Sequence, residues 1–177
     1  NSPRNVDYSP DLMLAMNRLK CQKVGVFVNA PTYFIRAKAE LFDLDTIQLH
    51  GDESPYQIEA LSNDYEIIKV FSVDDSFSFD LVQYEAADYF LFDTKGKRRG
   101  GNGTKFKWEI LEKYEGETPF ILSGGIGPGD VQELLRIKHS KFAGIDVNSG
   151  FELEPGIKNF SKLKSFIQEL ENKNLPN

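Results

Sequence analysis

The chain has 177 residues, 40% of them hydrophobic and 27% charged, with a formal net charge of −6 and a sequence pI near 5.0. That length gives one domain with a full core and excludes two of ordinary size. With no basic face evident, the acidic balance argues against nucleic acid as a partner, and the longest apolar runs are strand-sized, too short to span a membrane. From the N-terminus, Leu12, Met13, Met16 and Leu19 recur at helical spacing over residues 10–20, with Ser9 as N-cap. Val24-Gly25-Val26-Phe27-Val28 reads as a near-continuous apolar strand and Thr32 to Phe42 as a helix. Strand Thr46 to Leu49, helix Ser54 to Leu61, strand Ile67 to Phe71 and helix Phe77 to Tyr84 follow. Strand Tyr89 to Phe92 enters a glycine-rich loop, and Trp108 to Tyr114 is a shorter helix. Strand Phe120 to Leu122, helix Gly129 to Ile137, strand Gly144 to Val147 and a helix from Phe160 to Leu170 complete the order.

Strands alternating with helices along the whole length predict a parallel sheet with right-handed crossovers, its strands buried on both faces. Asn29, His50, Asp93, Ser123, Asp146 and Ser149 stand at or just past the C-terminal ends of strands. A closed barrel gathers those ends into one mouth and an open sheet does not, which favours a barrel. The lone Cys21 excludes an internal disulfide and fits a reducing cytoplasm, and Asn1-Ser2-Pro3-Arg4 has neither the apolar core of a signal peptide nor a start methionine.

Two strand-to-glycine turns carry the clearest chemistry. Ser123-Gly124-Gly125-Ile126-Gly127 breaks an apolar run just ahead of a helical pattern, and Asp146-Val147-Asn148-Ser149-Gly150 ends the next strand. Adjacent parallel strands ending this way aim bare backbone N–H groups, a hydroxyl and the positive end of a helix at one point, an arrangement suited to phosphate. Gly124 and Gly125 also have a plainer reading as turn glycines. Asp93, closing a strand, could simply cap the turn after it. Lys95-Gly96-Lys97-Arg98-Arg99-Gly100-Gly101 reads first as a solvated loop, and second as one that steers and covers an anionic substrate. His50 with Asp52 and Glu53 matches no standard metal-ligand spacing, so no metal is expected.

Ser2-Pro3-Arg4, Val24 to Asn29, Gln48-Leu49-His50-Gly51-Asp52-Glu53, Phe92-Asp93-Thr94, Gly100-Gly101-Asn102-Gly103, Ser123-Gly124-Gly125 and Asp146 to Gly150 occur in this order. In content and spacing they resemble the phosphoribosylanthranilate isomerases, (β/α)₈ TIM-barrel enzymes of tryptophan biosynthesis, over the full length of the chain. The resemblance implies an intramolecular oxidoreductase, an aldose–ketose isomerase, that performs an Amadori rearrangement on a small phosphorylated substrate without cofactor or metal. It makes Asp93 the general acid, and assigns Arg4, His50 and Asp146 to substrate binding, Arg4 to the anthranilate carboxylate. Gly124, Gly125, Asn148 and Ser149 fall on the phosphate site, with Asn148 where the family usually has a hydroxyl residue.

One departure is large. Family members begin with a strand reading Lys-Ile-Cys-Gly, a helix and a second strand before Ser-Pro-Arg, and the cysteine of that first strand is the catalytic base. The expectation is therefore a single incomplete barrel over residues 1–177, holding strands 3–8 of eight and inactive without its N-terminal segment. Cys21 lies ahead of a strand, on the side away from the mouth, and does not replace the base. Two other readings stay open: another phosphosugar isomerase or epimerase barrel, and a non-catalytic phosphosugar-binding remnant.

Overall fold

A computed structural model describes residues 2–94 and 106–174; the basic stretch from Lys95 and the Gly100–Gly103 run lie outside the described residues. Six strands, β1 (Val24–Phe27), β2 (Thr46–Leu49), β3 (Glu66–Val73), β4 (Tyr89–Thr94), β5 (Phe120–Leu122) and β6 (Phe142–Ile145), form one sheet in chain order. Among the described residues five α-helices accompany them: α1 (Pro10–Met16), α2 (Thr32–Phe42), α3 (Pro55–Ser62), α4 (Val131–Leu134) and α5 (Phe160–Asn174). Contacts divide the chain into two compact units, Asn1–Phe71 with Leu81–Phe90, and Ser72–Asp80 with Leu91–Asn177.

In the first unit β1 pairs with β2 and β2 with β3, all parallel, with Val26 opposite Gln48 and Gln48 opposite Ile68. Ser9 caps α1 through a 3.1 Å bond from Leu12 N. Ser54 does the same for α3 from Gln57 N, with Pro55 at the first helical position, where a missing N–H costs nothing. Helix α2 buries Ile35, Ala39 and Phe42, spaced four and three apart on one face, and α3 buries Ile58 and Leu61. With Ile47, Leu49 and Ile67, all fully buried, they form the core of this unit, each of the larger side chains stabilising by roughly 1.5–3 kcal/mol. The expectation that every strand is buried on both faces fails at β1 and β6, the two outermost strands of the sheet: Val24 and Val26 are 44% and 57% exposed, and no residue of β6 is buried.

In the second unit β5 and β6 pair in parallel, Leu122 opposite Ile145. The unit is built around aromatic rings. Phe92 lies 5.2 Å from Phe79, 5.5 Å from Tyr114 and 6.3 Å from Phe77, all edge-on, and 5.2 Å from Phe120. Those rings explain why the helix expected from Phe77 to Tyr84 reduces to a 3₁₀ turn at Val82–Tyr84. Phe77 and Phe79, two residues apart, turn to the same cluster. That spacing is extended, not helical, and Asp74 folds the preceding turn by accepting from Ser76 N and Oγ. The expected helices at 108–114 and 129–137 are likewise shorter. The first is 3₁₀ over Trp108–Lys113, and the second is a 3₁₀ turn at Pro128–Asp130 followed by the four residues of α4. A short antiparallel hairpin, β7 (Glu152–Glu154) and β8 (Ile157–Lys158), was not foreseen. Helix α5 follows it, capped by Asn159 Oδ1 at 3.0 Å from Lys162 N, with Phe166 buried against Phe151 at 4.8 Å.

Candidate active site

Strand β4 ends at Asp93 and Thr94, both half-buried. Ser123 N donates to Phe92 O at 2.9 Å and Asp146 N to Leu122 O at 2.8 Å. The ladder thus carries on past the strands, and Asp93, Ser123 and Asp146 leave the C-terminal ends of β4, β5 and β6 side by side. Ser123 Oγ then donates to Asp146 Oδ2 at 2.9 Å, so a buried hydroxyl fixes the direction of that carboxylate.

The first glycine turn folds onto β4. Gly124 has φ of 89° and Gly125 of 72°, a region that only glycine enters freely. Thr94 Oγ1 donates to Gly124 O at 3.3 Å. A side chain at Gly124 would collide with Thr94, and its Cβ would stand 2.7 Å from Asp93 Oδ1. The second turn seats on the first: a Cβ at Gly150 would run into the Ile126 carbonyl and lie 3.3 Å from Gly127 Cα. Asp93, Gly124, Gly125, Asp146, Asn148 and Ser149 therefore belong to one unit, with the two turns in contact. The helix expected to aim its positive end here is too short for a strong dipole. Gly127 N is also engaged, donating to Asp130 Oδ2 at 2.6 Å. Backbone amides and the Asn148 and Ser149 side chains are the donors left to consider.

Arg4 and His50 belong to the other unit. Arg4 is half-buried, its N donating to Ser2 Oγ at 3.1 Å. His50 follows β2, its N donating to Phe27 O at 2.8 Å. The turn after His50 is tied down by a network that sequence reasoning missed. Lys69 Nζ, in β3, donates to Glu53 Oε2 and to Gly51 O, both at 2.8 Å, and the two side chains are 3% and 0% exposed. Glu53 also accepts from Asn29 N and Gly51 N, each at 2.8 Å. Asn29, in the left-handed region at φ 52°, accepts from Asp52 N at 2.7 Å. Burial opposes ionisation of Glu53, but the hydrogen bonds from Lys69 and the Asn29 amide, with the Lys69 charge, outweigh it and hold the carboxyl below its ordinary value. A lysine inside the apolar run Ile67 to Phe71 was the available signal, since a buried charge needs a partner.

Among the described residues no three His, Cys, Asp or Glu side chains are placed to hold a metal ion, and no helix is long and apolar enough to cross a membrane. Cys21 is exposed and precedes β1.

A family model described as N-(5'-phosphoribosyl)anthranilate (PRA) isomerase matches residues 2–169. The N-(5'-phosphoribosyl)anthranilate isomerase of Parabacteroides distasonis is 48% identical over 156 residues, covering 86% of this chain and 71% of that protein. The phosphoribosyl anthranilate isomerase of Thermus thermophilus superposes with a TM-score of 0.81 at 27% identity, over 92% of this chain and 79% of that one. A phosphoribosyl anthranilate isomerase in complex with reduced 1-(o-carboxyphenylamino)-1-deoxyribulose 5-phosphate does so with a TM-score of 0.75 at 26% identity, over 93% and 80%. The fold is of the α/β TIM-barrel type, and the chain belongs to the N-(5'-phosphoribosyl)anthranilate isomerase family.

Proposed function

We propose that Asp93 is the general acid, and the two terminal turns the phosphate site, of an isomerase that converts N-(5'-phosphoribosyl)anthranilate to 1-(2-carboxyphenylamino)-1-deoxyribulose 5-phosphate in tryptophan biosynthesis. Family membership supplies the reaction. The observation that supports the residue assignment is the crowding of the Asp93 carboxylate against the glycine turn at Gly124. The structural relative's ligand carries a carboxylate, an amine, a polyhydroxyl chain in which the ketose carbonyl is reduced, and a phosphate, and this chain offers a group for each. Arg4 suits the carboxylate through its guanidinium fork. Asp146, aimed by Ser123, suits the amine or ribose, with His50 as a further substrate contact. Gly124, Gly125, Asn148 and Ser149 suit the phosphate.

The rearrangement opens the aminofuranose ring, forms a Schiff base, and moves the C2 proton through an enolamine to the ketose. Asp93 protonates the ring oxygen as the ring opens. A base then removes the C2 proton. In the family that base is a cysteine in a strand reading Lys-Ile-Cys-Gly, and none of the 177 residues matches that strand. We therefore read β1–β6 as strands 3–8 of the family's barrel, with the acid and the binding groups in this chain and the base in the strand that the family sets ahead of Ser-Pro-Arg. Exposed Cys21, at the N-terminal end of β1, is no substitute.

The test is turnover in a protein carrying the Lys-Ile-Cys-Gly strand. Asp93→Asn should lower kcat by about 10²–10⁴ with KM little changed, and Cys21→Ser should leave both unchanged. A normal kcat with a raised KM in Asp93→Asn would make Asp93 a binding residue.

A further inference from the structure

Asn148 opens the second turn, and its Oδ1 accepts a hydrogen bond from Lys158 Nζ, which reaches back from β8. The same ammonium donates to Glu152 Oε1 at 2.8 Å, directly across the β7–β8 hairpin, and Gly156 N closes on that oxygen at 3.1 Å. Glu152 is 5% exposed in its side chain and Lys158 31%, so the lysine's ammonium is held by a nearly buried carboxylate.

An ammonium has donors only, so an amide facing it must present its oxygen. That choice settles where the other half of the amide points. With Oδ1 taken by Lys158, the Nδ2 hydrogens are the part of the amide left for a second acceptor. A loose asparagine in a phosphate turn is ambivalent, because half a rotation about its last bond sets oxygen against an anion. A serine has no such problem, since its hydroxyl proton turns to suit the acceptor.

We propose that Lys158 is a positioning residue for the phosphate turn, holding Asn148 so that its Nδ2 hydrogens, and not its oxygen, meet a phosphate dianion. This rests on the phosphate reading of the two terminal turns. The hairpin, unforeseen from sequence, is then the support that lets an amide serve as a fixed donor.

The experiment titrates inorganic phosphate into the full chain and follows backbone amides and the Asn148 side-chain NH₂ signals by NMR. In the native chain, shifts should concentrate at residues about 123–127 and 146–151 and include the Asn148 NH₂ pair. Lys158→Met should weaken binding about 3–10-fold, the worth of one hydrogen bond, and abolish the Asn148 NH₂ response. In an Asn148→Ser background the same change should cost less than about twofold. Glu152→Gln, which removes the ion pair and leaves the Lys158–Asn148 bond, should also cost less than about twofold. Equal losses from Lys158→Met in both backgrounds would show a charge acting through space and overturn the positioning role, as would a Glu152→Gln loss matching that of Lys158→Met. Absence of localised shifts in the native chain would overturn the phosphate reading and this proposal together.

Discussion

The Cα of Gly124 faces the carboxylate of Asp93 so closely that the first carbon of any side chain there would stand 2.7 Å from Asp93 Oδ1. The proposed phosphate turn and the proposed acid are therefore one packed object. On the proposed roles, an acid whose carboxyl abuts the backbone of the phosphate turn needs no separate group to position it.

Gly124→Ala should accordingly damage both stability and chemistry. The φ of 89° alone costs an alanine roughly 1–2 kcal/mol, and relief of the clash must displace Thr94 or Asp93. Kinetics should show a lower kcat, alongside a fall in the thermal midpoint. Gly129→Ala is the control: a Cβ there meets nothing within 4 Å, and stability should hold or rise slightly. Similar behaviour of the two variants would mean that the turn yields without disturbing Asp93.

Breaking the Lys69–Glu53 pair on one side should be far worse than neutralising both members. Lys69→Met leaves a buried carboxylate facing no cation and should cost about 3–5 kcal/mol in urea unfolding. Adding Glu53→Gln removes that charge while keeping an oxygen for Asn29 N and Gly51 N, so the double variant should be more stable than Lys69→Met alone. A double variant no better than the single one would show that the charge is not what the fold guards against.

The same pair sets the acid limb of stability. The Glu53 carboxyl titrates below its ordinary value of 4.5 in the folded chain. The unfolded chain thus takes up the proton first, and stability falls as pH drops through the folded value. Above about 4.5 the contribution is fully present. Urea midpoints between pH 6 and 3 should fall less steeply for Glu53→Gln than for the native chain, and identical slopes would contradict the assignment.

Much of this was legible in the chain. The boundaries of α2, β2 and β5 follow from apolar content: α2 and β5 each bury a simple stripe, and β2 is a short run buried throughout. The two glycine turns were readable because positive φ at Gly124 and Gly125 nearly forces the residue type, and the place of Asp93 at a strand end follows from the apolar run before it, while its role rests on the resemblance alone. The segment from Phe77 to Tyr84 misled, since two phenylalanines near other apolar residues fit a helix as well as a ring cluster, and only tertiary packing decides. Lys69 and Lys158 were passed over for a related reason. A lysine's role depends on which distant oxygen it reaches, and neither Glu53 nor Asn148 lies at a local spacing that points to it.

The rings around Phe92 have a consequence for how the chain reaches this arrangement. Neighbouring residues of a strand point to opposite faces, so Phe92 and Asp93 trade places if β4 pairs one residue out of step. Such a pairing would thrust a carboxylate among Phe79, Tyr114 and Phe120 and leave a phenyl group at the strand end. An unpaired charge in that setting is heavily penalised. The aromatic cluster thus acts as a proofreader during folding: misregistered forms are rejected at the core, and Asp93 is delivered to the strand end by hydrophobic selection with no contact in the glycine turns required to find it.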